Sequence, residues 1–191
     1  MSKEILEKLF DSPVKVKLLK LFLRNPDQFF TLSEIKKRSK SDLSACRSQV
    51  VRLESIKLIK SRVKSKKKEY AINPAFDFYN ELRTLVLKSS PASKKKILKR
   101  VRGLGKINLA VISGVFTNTE NARVDLLIVG DSIKNNKLSS FFKDLEAETG
   151  KEIDYVVLST KDFKYRFDMF DRFIRDVLEK PHEKLINKLR I

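Results

Sequence analysis

"SDLSACRSQVVRLESIKLIKSRVKSKKKEYAINP", residues 41–74, changes its period halfway along. In the first part Leu43, Cys46, Val50 and Leu53 recur at i, i+3, i+7 and i+10, the spacing of one helix face. The opposite face carries Ser44, Arg47, Ser48 and Val51. From residue 59 the pattern alternates loosely around Lys-Ser-Lys-Lys-Lys, with Val63, Tyr70 and Ile72 as apolar anchors. That alternation reads as a β-hairpin with a basic tip.

Two helices are expected upstream. In "SPVKVKLLKLFLRNP", residues 12–26, the apolar positions Val16, Leu19, Phe22 and Leu23 keep helical spacing. Ser12 is placed to cap that helix, Pro13 suits its first turn, and Asn25-Pro26 stops it. In "TLSEIKKRSK", residues 31–40, Thr31 followed three residues later by Glu34 forms a capping box. The order is three helices and then a hairpin. "FDFYNELRTLVLKSS", residues 76–90, adds a helix with Phe76, Tyr79, Leu82 and Val86 on one side, suited to core packing or to a homodimer contact.

Charge says what such an arrangement could meet. The chain has 191 residues, a formal net charge of +18 and a sequence pI near 10.0, which calls for a polyanionic partner. Residues 31–70 hold thirteen lysines and arginines against four acids, so this fifth of the chain carries half of the excess. A helix entering the major groove of duplex DNA would turn Ser44, Arg47, Ser48 and Val51 to the base edges, with arginine able to fork onto guanine. Arg52 and the hairpin lysines Lys64, Lys66, Lys67 and Lys68 would meet phosphates, which fixes position without reading sequence.

Cys46 and His182 are the only residues of their kinds. Neither a zinc finger nor a disulfide can be assembled within one chain, and no metal or cofactor is expected. His182 falls in a basic tail read as surface. The N-terminus lacks a signal-peptide core, and the longest apolar stretch is short and rich in lysine. A reducing, cytoplasmic setting without membrane attachment is expected.

"VKVKLLKLFLRNPDQFFTLSEIKKRS", "LSACRSQVVRLESIKLIKSR" and "KKKEYAINP" resemble the arsenic-repressor-type winged helix-turn-helix regulators. The resemblance implies duplex-DNA binding and transcriptional control. Lys57 stands where that family commonly has a turn glycine, and the metal-sensing cysteines are missing, so metal sensing is not carried over.

The second half reads differently. "SSPAS" breaks the chain, and "KKKILKRVRGLGK" forms a basic amphipathic helix ended by Gly103, either an extension of the DNA footprint or a solvated face. "INLAVISGVF", "RVDLLIVG" and "KEIDYVVLST" are strand-like. "NKLSSFFKDLEAETG" is helical, with Leu138, Phe141, Phe142 and Leu145 inward, and "KDFKYRFDMFDRFIRDVLEK" closes with helix. Alternating strands and helices make a small α/β domain. The fold expected is α+β, with a winged helix-turn-helix over residues 1–90 and an α/β domain over 91–191.

This second half resembles a minimal nucleotidyltransferase domain. That resemblance implies a Gly-Ser after the first strand, two carboxylates flanking one residue on the next, and a third carboxylate later. Gly114 matches the glycine, Asp125 the second carboxylate and Asp154 the third, but Val115 replaces the serine and Arg123 the first carboxylate. Two-metal catalysis needs bridging carboxylates. A permanent cation about 4 Å from a dication opposes it by roughly 8 kcal/mol at an effective dielectric near 20. Glu120, in the loop, is not fixed on the same side as Asp125. A degenerate, inactive domain is therefore expected, with Asp125 paired to Arg123 or another cation. It would serve assembly, or hold a phosphate through Gly114 amides and Arg123. Two alternatives stand beside DNA binding: an antitoxin-type transferase acting on protein or RNA, and a non-specific RNA-binding protein.

Overall fold

A computed structural model describes residues 2–89, 93–119 and 121–191. Residues 90–92 of the break expected over 89–93, and the loop residue Glu120, lie outside the described residues. The chain is mixed α and β. It divides into two compact units, Met1–Pro91 with Glu146–Glu152, and Ala92–Leu145 with Ile153–Ile191.

In the first unit α1 (Ser2–Leu9) precedes α2 (Pro13–Arg24), then β1 (Phe30–Thr31), α3 (Leu32–Ser39), α4 (Leu43–Ser55), β2 (Ile59–Lys64), β3 (Lys67–Ile72) and α5 (Tyr79–Lys88). Helix α2 starts where its signals put it: the Ser12 hydroxyl accepts from Lys15 N–H and Pro13 opens the first turn. It buries more than one face, since Leu18 and Leu21 are as enclosed as Val16, Leu19, Phe22 and Leu23. The Thr31–Glu34 capping box forms at α3. Cys46, Val50 and Leu53 of α4 enter the core with Ile35, Leu58 and Ile72. Leu43 does not: it is 38% exposed, because the first turn of α4 overhangs the core. Phe76, Tyr79 and Leu82 pack on this same core beside buried Val86, so that side of the α5 region is an internal face.

β2 and β3 pair antiparallel from Ile59↔Ile72 to Lys64↔Lys67, and β3 also takes β1, giving the order β1-β3-β2. The two loop residues, Ser65 (φ +49°) and Lys66 (φ +61°), are both left-handed, as a two-residue type I′ turn requires. Lys57 takes φ +61° at the turn between α4 and β2, the conformation for which a glycine would be the ordinary choice.

The second unit runs α6 (Lys94–Arg102), β4 (Lys106–Ile112), β5 (Leu126–Asp131), α7 (Asn135–Thr149, whose end from Glu146 counts with the first unit), β6 (Tyr155–Leu158), α8 (Thr160–Asp168), α9 (Arg172–Glu179) and β7 (Glu183–Asn187). The sheet order is β6-β5-β4-β7; only the β5–β6 pair is parallel. The central strands β4 and β5 read as mostly apolar runs because both faces are covered. Ala110, Ile112, Leu126 and Ile128 face Ile97 and Val101 of α6 and Phe141, Phe142 and Leu145 of α7. Leu109, Val111, Leu127 and Val129 face Phe163 of α8 and Ile174 and Val177 of α9. Two expectations are corrected. The closing helix is two helices, broken where Phe170 turns left-handed at φ +52°. The tail after Pro181 contains β7, which hydrogen-bonds to β4.

Candidate nucleic-acid interface and the glycine–aspartate turn

Asp42 caps α4 by accepting from the N–H groups of Ser44 and Ala45, and from the Ser44 hydroxyl. These bonds, the hydroxyl's first, hold its carboxyl below the usual carboxylate range. Arg47, Ser48, Val51 and Arg52 follow on the outer face of α4, all exposed. Ser44 is exposed too, but its hydroxyl proton is engaged by Asp42, which leaves its oxygen as an acceptor.

At the hairpin Lys64, Lys66 and Lys67 are exposed, with no carboxylate in ion-pair range among the described residues. Lys68 is different. Its ammonium lies 3.0 Å from Glu54, whose other bond comes from the Ser61 hydroxyl at 2.6 Å. The Ser61 bond first, then Lys68, lowers the Glu54 carboxyl, and Glu54 in turn raises Lys68. This carboxylate ties the end of α4 to both hairpin strands. On β2, Arg62 pairs with Glu69 at 2.9 Å and lies 3.5 Å over the Phe29 ring.

A concavity of about 620 Å³ joins these parts, lined by Thr31, Leu32, Ser33, Arg47, Val50, Val51, Lys67, Lys68 and Tyr70. It brings the start of α3, the outer face of α4 and the hairpin to one place. Beside Val50, read from the sequence only as core, Thr31, Leu32, Ser33 and Tyr70 are the members that sequence reasoning missed. They arrive because β1 pairs with β3, Phe30 opposite Tyr70 and Thr31 opposite Glu69, a contact across forty residues that no local pattern announces.

The second candidate centres on Gly114, which opens a 3-10 turn after β4. Its φ is +53°, and a Cβ added there would lie 2.1 Å from Asp125 Oδ1. Asp125 is buried. Its Oδ1 accepts from Val115 N–H at 2.7 Å and its Oδ2 from Asp154 N–H at 3.0 Å. Its backbone is held as well, since Ser113 N–H donates to its carbonyl and its own N–H donates to that of Asp154.

The pairing of Asp125 with Arg123 does not occur. Arg123 donates to Asp176 of α9 at 2.7 Å, and that bond chiefly holds the Asp176 carboxyl below its usual range. Asp125 needs no cation, because two backbone N–H groups already meet its charge. Asp154 is exposed and joins the turn through its backbone. Among the described residues no three of histidine, cysteine, aspartate and glutamate cluster to hold a metal ion. Nor is any helix among them long and apolar enough to cross a membrane.

No family model matches the chain, and neither does any curated protein or solved structure.

Proposed function

We propose that the protein binds duplex DNA through its first unit, as a winged helix-turn-helix transcriptional regulator of prokaryotic type working in the cytoplasm. In this reading α4 is the recognition helix and the β2–β3 hairpin is the wing. The observation that carries it is the concavity where the outer face of α4 and the basic hairpin meet. Arg47 and Val51 reach base edges in the major groove, with Ser44 and Ser48 as less selective neighbours. Arg52, Lys64, Lys66 and Lys67 sit on phosphates, and their lack of internal ion pairs leaves their charge to the ligand. Lys68 acts mainly through Glu54, as a strut for the wing.

The second unit is, on this reading, a nucleotidyltransferase-like domain without transferase activity, serving assembly or regulation. Support comes from the Gly114 turn. In a phosphate-binding loop backbone amides point at the substrate, whereas here the Val115 amide points at Asp125. A homodimer through residues 76–88 would use Phe78 and Leu85, the large apolar side chains left exposed there.

The test is a salt titration of full-length protein on duplex DNA and on RNA of matched length. Tighter binding to duplex DNA, with a steep fall of affinity with salt, supports the reading. Equal or tighter binding to RNA sinks it. Magnesium-dependent transfer of label from a nucleotide, abolished by Asp125→Asn, would instead establish the transferase alternative.

A further inference from the structure

Helix α6 carries six cations and no acid. Two are held by carboxylates: Lys94 by Glu183, and Arg100 by Asp144 at 3.4 Å. Lys95, Lys99 and Arg102 stand at i, i+4 and i+7, a single exposed stripe about 10 Å long. Among the described residues no carboxylate lies within ion-pair distance of these three.

The stripe runs into a cleft of about 390 Å³ at the end of α6, whose lining includes Arg102, Gly105, Lys106, Asn187 and Lys188. The lining has three cations and no acid. Lys188 comes from the far end of the chain, delivered by the pairing of β7 with β4. The acid nearest in register is Asp131, opposite Lys106; its carboxylate accepts from the Thr160 N–H and hydroxyl at 3.1 and 2.6 Å and feels the charge of Lys106 without forming an ion pair. Cations that outnumber the nearby carboxylates repel one another, and a bound polyanion relieves that repulsion.

We propose that this cleft and the α6 stripe form a second surface for the phosphodiester backbone of duplex DNA. A lone nucleotide would use the cleft and leave the stripe idle, whereas a run of phosphates uses both. No aromatic side chain lines the cleft, so the unpaired bases of a single strand find no stacking platform. Backbone contacts of this kind add affinity without sequence preference. The inference rests on the reading of the protein as a duplex-DNA binder but uses other residues.

The experiment is a salt titration of full-length protein on a long duplex of random sequence, and on RNA and single-stranded DNA of matched length. Arg102→Gln with Lys106→Gln and Lys188→Gln should flatten the slope of log K against log salt by about 2.7. Lys95→Gln with Lys99→Gln, on the open face of α6, should flatten it by about 1.8. Lys106→Arg with Lys188→Arg should keep the parent slope. A parallel variant, Lys64→Gln with Lys66→Gln and Lys67→Gln, reports on the hairpin. Parent slopes in the cleft and stripe variants beside a flattened hairpin variant overturn this inference alone. The reverse pattern supports it and removes the hairpin from the proposed interface. A slope loss confined to RNA or single strands overturns the choice of duplex DNA.

Discussion

Arg47 and Arg123 both stand where a sequence reader would place a phosphate or base contact, and their surroundings are opposite. Arg47 lies exposed on α4, with no carboxylate in ion-pair range among the described residues. Arg123 is held by Asp176. The same contrast separates their neighbourhoods. Around Arg47 the cations Arg52, Lys64, Lys66 and Lys67 also stand without ion pairs among the described residues, while Arg62 and Lys68 are tied down. Around Arg123 the polar groups answer one another: Asp125 takes the amides of Val115 and Asp154, and the Ser113 hydroxyl donates to the Val124 carbonyl. A charge already met inside the protein has little left for a ligand; one left open keeps its full pull.

The sharpest way to break this contrast is to remove the open charges. Lys66→Ala with Lys67→Ala should weaken duplex binding about thirtyfold near 0.15 M salt, evenly across sequences, with a slope flatter by about 1.8. An unchanged slope would mean the hairpin does not face phosphate. Arg47→Ala should lose about 1–3 kcal/mol on the preferred sequence and much less on others, relaxing specificity in competition assays.

In the other region the expected losses are of stability. Asp125→Asn leaves one of two amides facing an NH₂ group, and should cost about 1–3 kcal/mol in denaturant unfolding of the second unit. Gly114→Ala, strained by its φ and by the Asp125 carboxylate, should cost a similar amount. Neither change should flatten the salt slope of DNA binding. If either did so in a folded protein, the Gly114 turn would belong to the DNA surface.

Acid sensitivity sharpens the comparison further. The Asp176 carboxyl is depressed, first by its bond from Arg123. A depressed carboxylate contributes stability above its unfolded value, and that contribution is lost as pH falls through the folded value. Arg123→Ala should therefore lower the melting temperature at neutral pH and flatten its fall below about pH 5. The smallest effect is expected for Lys68→Ala, whose ammonium is shared with Glu54. Its salt slope should move less than that of Lys66→Ala.

Much of this was legible from residues close together in the chain. Ser12, Thr31 with Glu34, and the Lys-Ser-Lys turn announce their structures locally, because caps and tight turns are built within a few residues. Lys57 was legible as the holder of a glycine-like turn. Illegible were the contacts that depend on tertiary pairing. β7 hides in "EKLIN", where lysine interrupts the apolar pattern of an edge strand. β1 has only two residues and exists through β3. Arg123 meets Asp176 across fifty residues, so its charge looked free in the sequence. Leu43 kept the helical spacing of the core but sits one turn beyond it, since periodicity gives the face and not the extent of cover.

The most direct measurement is selection of bound duplexes from a random DNA pool by the full-length protein at about 0.15 M salt, in parallel with Arg47→Ala. The account predicts an enriched motif that loses a position, or blurs there, in the variant. Retention of duplexes with no enrichment by either protein would contradict a recognition role for α4 and leave a binder of backbone alone.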